Sequence, residues 1–172
     1  IAIALELEIP IEKIKLGLEQ YMGVRRRFDI KYTTKNNIII VDDYAHHPSE
    51  VSATLNAAKT GWKNRVIAVF QPHLFTRTRD FYKEFAESFL LSDILIVTDI
   101  YAAREKPIKG ISGEMIVEEA KKIGHQNIQY INNQNNVAVY LKKIIKEDDM
   151  IITMGAGNIW RQCENIYKAI KN

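Results

Sequence analysis

Apolar positions along this chain follow two rhythms. Unbroken runs, Ile38-Ile39-Ile40-Val41, Val66-Ile67-Ala68-Val69-Phe70, Ile94-Leu95-Ile96-Val97 and Met150-Ile151-Ile152, each stop at polar residues. Runs of this length predict strands buried on both faces. Between them the spacing lengthens to helical intervals. Val51, Leu55 and Ala58 follow Pro48, which suits a first helical turn because its missing N–H is no loss there. Phe81, Phe85 and Phe89 mark a second helix; Ile116, Ala120 and Ile123 a third, over 113–123; Val137, Leu141 and Ile144 or Ile145 a fourth, over 136–146. A last helix runs to about Ile170, and 127–131 is a short strand. Near the start, Phe28, Ile30 and Tyr32 alternate with polar residues and turn through Asn36-Asn37, as a hairpin would. Pro10 opens a helix with Ile11, Ile14, Leu18 and Tyr21 on one stripe, and Gly23 ends it.

Strands alternating with helices at this spacing predict an α/β fold. The sheet is mostly parallel, of about six strands, with helices on both faces. The hairpin adds one antiparallel edge strand. The opening IAIALELEI is apolar and uncapped, as if cut from something longer.

Composition narrows the function classes. The net charge of +3 has no basic block beyond Arg25-Arg26-Arg27, so bulk charge does not point to nucleic acid. No apolar run approaches the ~20 residues of a membrane span. The first residues lack a basic leader and a cleavage site, so no signal peptide is expected. One cysteine, Cys163, leaves no internal disulfide and fits a reducing cytoplasm. With Ile159, Ile166 and Ile170 it falls on an apolar helix face, the place of a packed core thiol.

The chemistry collects where strands end. These stretches read DDYAHHP, QPHLFTRTRD, TDIYAARE and MGAGN. Parallel strands bring all four to one edge of the sheet, which predicts a ligand site. Arg77 and Arg79 are guanidinium forks suited to a carboxylate or phosphate. Gly155-Ala156-Gly157 before a helix lets backbone N–H groups approach an anion. His46 and His47 adjoin, so they point different ways, one toward function and one toward structure. A metal site from Asp43, His46 and His73 matches no standard ligand spacing, and no metal is assigned. The loop from Ile100 to Gly110 is long and polar enough to point to function. The Arg25–Arg27 run reads as a solvated face, a hinge or a phosphate contact.

At these residues a resemblance enters. DDYAHHPSEV, FQPHLFTRTRD, DIYAAREKPIKG and MGAGNI, in this order, resemble the Mur ligases of bacterial cell-wall synthesis. The resemblance covers essentially the whole chain. It implies a Rossmann-like C-terminal domain over 23–172, with 1–22 as the helical end of a preceding central ATP-binding domain. The reaction it implies joins L-alanine to UDP-N-acetylmuramate. ATP phosphorylates the lactyl carboxylate, the amine attacks the acyl phosphate, and phosphate leaves. The C-terminal domain swings in to close the site. By motif position, Arg27 is implied to reach the ATP γ-phosphate, and Asp43 to bond the ribose. Tyr44 and His46 fall where the family places the incoming amino acid, with His46 orienting it. Arg77 and Arg79 would clamp its carboxylate, and the Gly155–Asn158 turn, through Gly155 and Asn158, would close the same pocket.

The chain departs from the family pattern at Leu74, Arg104 and Trp160. Many relatives carry a basic residue at the first, so one carboxylate contact is missing or replaced; many have Gly at the second and a small residue at the third. No Gly-x-x-Gly-Lys-Thr phosphate loop occurs in these 172 residues. ATP and Mg²⁺ are thus expected to be bound mainly by the central domain, and the isolated chain is expected to be inactive. Two alternatives stand beside this reading. One is the same domain in a ligase that recycles wall tripeptides. The other is a non-catalytic module binding a small carboxylate.

Overall fold

The computed structural model describes residues 1–21 and 23–171; Met22 and Asn172, which fall inside the two predicted segments, lie outside them. Two helices, α1 (Ala2–Glu6) and α2 (Ile11–Glu19), come first. The aliphatic runs then build one sheet from β1 (Asp29–Thr33), β2 (Ile39–Asp43), β3 (Arg65–Phe70), β4 (Ile94–Thr98), β5 (Ile128–Ile131) and β6 (Asp149–Met154). Its order is β1-β2-β6-β3-β4-β5, with β1 antiparallel and every other pair parallel. Helices α3 (Pro48–Gly61), α4 (Phe75–Ser88) and α5 (Glu114–Lys122) cover one face, and α6 (Val137–Ile144) and α7 (Gln162–Ile170) the other.

The pleat divides each strand between two cores. Val41, Ala68, Phe70 and Ile152 meet Val51, Leu55, Phe85 and Phe89. Ile40, Ile67, Val69 and Ile151 meet Leu141, Cys163 and Ile166 on the opposite face. Burying each such aliphatic or aromatic side chain contributes about 1.5–3 kcal/mol. Cys163 is 2% exposed, and burial pushes its thiol up to about 12, so it is an inert core group.

Four expectations need correction. Phe28 and Tyr32 do not share a face. The pairing of β1 with β2 slips between Ile30 and Tyr32, and this bulge inverts the alternation. Phe28 stacks on Trp62 at 5.0 Å, whereas Tyr32 stacks on Tyr167 at 4.4 Å across the sheet. The α2 stripe is not covered: Ile14 is buried, but Ile11, Leu18 and Tyr21 are 58%, 53% and 60% exposed. That helix ends at Glu19, and Gly23, at φ +84°, lies in the following link rather than at the cap. Ile123 is a cap residue beyond α5 and is exposed; Val117 fills the inward position instead.

Candidate functional site

The parallel strands deliver their C-terminal ends to one edge, as the sequence predicts. The chain leaves β2 and β3 for helices on one face and leaves β6, which lies between them, for α7 on the other. The loops part there and leave a crevice, the usual ligand position in an open α/β sheet.

A row of rings lines its rim. Tyr44 meets His46 edge-on at 5.0 Å, His46 meets His73 at 6.0 Å, and His73 stacks on Tyr101 at 5.8 Å. Burial, reinforced by the Arg77 charge and by His46, holds the His73 imidazole below its ordinary pKa, so it is neutral near pH 7. An Arg77 guanidinium nitrogen lies 3.3 Å from His73 Nδ1. His46 Nδ1 lies 2.9 Å from the Tyr44 carbonyl and 3.2 Å from a Glu50 oxygen. The same Glu50 carboxylate accepts the His46 N–H at 2.9 Å and the His47 N–H at 3.2 Å. Burial opposes the charge on Glu50, but these donors keep its pKa lowered. His47 turns away toward Phe81, at 5.1 Å, so the two histidines do diverge.

The floor is an amide network. Gln71 Nε2 donates to Asn158 Oδ1 at 3.0 Å, Gln134 Nε2 donates to the same oxygen at 3.1 Å, and Gln71 Oε1 accepts the Ile159 N–H at 3.2 Å. Two glycines make room for it. Gly155 sits at φ +148° with its missing Cβ 2.7 Å from the Gln71 carbonyl; a Cβ on Gly157 would come within 2.6 Å of Tyr101 Cγ. A recess of about 380 Å³, lined by Gln71, Thr98, Asp99 and residues 132–134, extends the floor toward β5.

The arginine run separates on folding. Arg26 reaches inward: Nε donates to Asp42 at 3.1 Å, Nη2 donates to the Gly155 carbonyl at 2.6 Å, and the guanidinium lies 4.8 Å from the Tyr44 ring centre. Burial raises the Asp42 pKa, opposed by Thr153 and Arg26. The Arg27 side chain is 54% exposed and pairs with Glu50 at 3.8 Å. Asp43 is buried, and its two oxygens accept the Phe28 and Ala45 N–H groups at 2.7 Å each. Arg27 and Asp43 share a second, shallower recess of about 360 Å³ with Phe28, Glu50 and Thr54.

The predicted residues are thus mostly, not wholly, brought together. Tyr44, His46, Arg77, Gly155 and Asn158 surround the crevice, with Arg27 and Asp43 beside it. Arg79 stands apart. Two helix positions rotate it about 200° from Arg77, and its half-exposed side chain is bonded to Asp80 at 2.7 Å. Gln134 was not anticipated, and Arg26, Glu50, Gln71 and Tyr101 lay inside stretches the sequence singles out without being given a role of their own. Glu50 carried a readable mark, three residues after the helix-capping His47. Among the described residues no group of three or more His, Cys, Asp or Glu is placed to hold a metal ion, and no helix is long and apolar enough to cross a membrane.

Fold and crevice together define a doubly wound α/β domain with a candidate ligand crevice that mixes imidazoles with the guanidinium groups of Arg26 and Arg77. The chain belongs to the Mur ligase family: the model described as "Mur ligase, glutamate ligase domain" matches residues 26–157. The UDP-N-acetylmuramate–L-alanine ligase of Trichlorobacter lovleyi is 47% identical over 170 residues, which is 98% of this chain and 37% of that protein. The chain therefore spans little more than a third of the length of the curated relatives it matches. Among solved structures, the UDP-N-acetylmuramate–alanine ligase of Thermotoga maritima superimposes with a TM-score of 0.78 at 27% identity, over 97% of this chain and 35% of that one. A murein peptide ligase of Psychrobacter arcticus gives 0.72 at 20% identity over 99% of this chain and 35% of that one, a likeness of fold.

Proposed function

We propose that the chain is the amino-acid-binding C-terminal domain of an ATP-dependent ligase that joins L-alanine to UDP-N-acetylmuramate through an acyl phosphate. The observation that carries this reading is the gathering of Tyr44, His46, His73 and Arg77 on the rim of the crevice, beside the recess that Arg27 and Asp43 share. The rim suits an amino acid and the recess a nucleotide. The similarity to alanine-adding relatives over nearly the whole chain supports the same substrate pair.

In this reading Arg77 takes the alanine carboxylate and His46 orients the amine toward the acyl phosphate. The Tyr44 ring walls the amine side, while Gly155 and Asn158 close the floor. Neutral His73 adds no charge that would repel the substrate ammonium. Asp43 still has lone pairs for a ribose hydroxyl after its two backbone bonds. Arg27, half-exposed, with a long 3.8 Å pairing to Glu50 and its guanidinium 5.7 Å from the Tyr44 ring centre, can swing onto a γ-phosphate and offset the charge that builds up in transfer. Arg79 joins the clamp only by releasing Asp80, so the geometry favours a clamp with Arg77 alone. Residues 1–22 serve as the helical end of a central ATP-binding domain, and 23–172 as the C-terminal domain. The uncovered apolar stripe of α2 supports that division. ATP and Mg²⁺ are held mainly by the rest of the protein in the cytoplasm, and this chain alone turns nothing over.

A second reading has one observation behind it. The recess of about 380 Å³ toward β5, lined by Gln71, Asp99 and residues 132–134, adjoins the crevice floor and would take a larger amine, such as a wall tripeptide. Phosphate release by the protein at the length of its relatives separates the two. With ATP, Mg²⁺ and UDP-N-acetylmuramate present, release that needs L-alanine supports the first. Release only with L-alanyl-D-glutamyl-diaminopimelate replaces it with the second. Release with neither leaves a binding module.

A further inference from the structure

Helix α4 begins without a cap of its own. Its N-cap is Leu74, a side chain with no acceptor, held at φ +74° and ψ 137°. A helix start leaves N–H groups open, and a Ser, Thr, Asp or Asn side chain normally closes one. Here the closing group arrives from another strand's loop. The Glu105 carboxylate accepts the Thr76 N–H at 3.0 Å and the Thr76 hydroxyl at 2.5 Å. Together with the Phe75 N–H, these donors lower the Glu105 pKa.

The loop that carries Glu105 is itself fixed. The Glu105 N–H donates to the Ala102 carbonyl at 2.9 Å in a turn with Ala103 at φ +51°. Tyr101 is stitched to the segment before α4: its N–H donates to Pro72 at 2.8 Å, and its carbonyl accepts the Leu74 N–H at 3.0 Å. The first turn of α4 is therefore bracketed, laced on one side and capped on the other. Arg77 and His73 both hang from this bracket. A carboxylate is also the charge this helix end favours, and it offsets two arginines that the dipole does not.

We propose that Glu105 is a positioning residue, capping α4 from the β4–α5 loop so that Arg77 and His73 keep their places and Tyr101 stays against His73 and Gly157. A corollary concerns the substrate. With the helix end already filled by the protein's own carboxylate, an incoming carboxylate has Arg77 as its remaining partner on this turn. The kinetic part of the proposal rests on the ligase reading above; the part about α4 does not.

The test uses Glu105→Ala and Glu105→Gln in the protein at the full length of its relatives. Glu105→Ala should raise the KM for L-alanine by about tenfold or more and leave that for ATP within about twofold. Glu105→Gln, which keeps an oxygen acceptor but not the charge, should fall between. Added formate should lower the raised KM of Glu105→Ala and do nothing for the parent. Amide hydrogen exchange at Thr76 should speed up in Glu105→Ala and slow again with formate. An unchanged alanine KM with unchanged Thr76 exchange overturns the proposal. So do alanine and ATP constants that rise together with no response to formate, which would mark a general loss of stability. If the parent itself shows no alanine-dependent phosphate release, the ligase reading fails separately. Exchange at Thr76 then decides Glu105 alone: rescue by formate supports it, and parent-like exchange sinks it.

Discussion

Arg77 and Arg79 share a motif and part company in space, and so do Arg26 and Arg27. Identity and spacing along the chain show that guanidinium groups are present, but rotation about the helix and the depth of each turn decide which of them faces the crevice. Arg77→Ala should raise the KM for L-alanine far more than that for ATP, by about 30-fold or more for the loss of a charged hydrogen bond of about 2–3 kcal/mol. Arg79→Ala should leave it within about twofold, because among the described residues its side chain bonds only to exposed Asp80. Steady-state kinetics on both variants checks the pair, and equal effects would restore the two-arginine clamp. In the other pair the readouts differ. Arg26→Ala removes the charged partner of buried Asp42, leaving it the Thr153 hydroxyl, and should cost about 2 kcal/mol of stability in denaturant titration. Arg27→Ala should leave stability alone and depress turnover with ATP.

At the scale of elements, the strands were legible because aliphatic runs buried on both faces have few other places to go. The edge hairpin was half legible. Its existence follows from alternation and a turn, but a bulge is an event of register, and no residue in Ile30-Lys31-Tyr32 announces it. The cap on α4 was illegible for a related reason: Thr76 and Glu105 meet only because two loops converge. The end of α5 carries a pH-dependent weakness. His125 is buried there, with Nε2 3.2 Å from the Ser92 hydroxyl and Nδ1 without a partner among the described residues. Burial lowers its pKa from the ordinary value of 6.5, so the folded state binds fewer protons than the unfolded chain. Its contribution is intact above that value and declines as pH falls below it. Thermal melts should therefore show a midpoint dropping between pH 7 and pH 5.5, with a shallower drop in His125→Gln. Equal slopes would mean other groups carry the acid limb.

The whole molecule is two cores pressed on one sheet, with α1 and α2 set outside both. Every large buried side chain of the strands faces either α3–α5 or α6–α7. A chain beginning at Gly23 should hence melt within a few degrees of the longer one while losing exposed apolar surface, which light scattering would register as less self-association. A collapse of the melting midpoint would show instead that α2, through Ile14, supports the sheet.

The crevice floor has one more consequence. Gln71, Gln134 and Asn158 hold one another by amide groups, which neither gain nor lose a proton from acid to alkaline solution. The frame therefore keeps the same charge and the same donors and acceptors at any pH at which the fold survives. A limb of a rate profile against pH would then belong to the ionisable groups around the floor or to the substrates, and not to the floor itself. The floor would act as an internal standard, with acid and base read against a background that does not move.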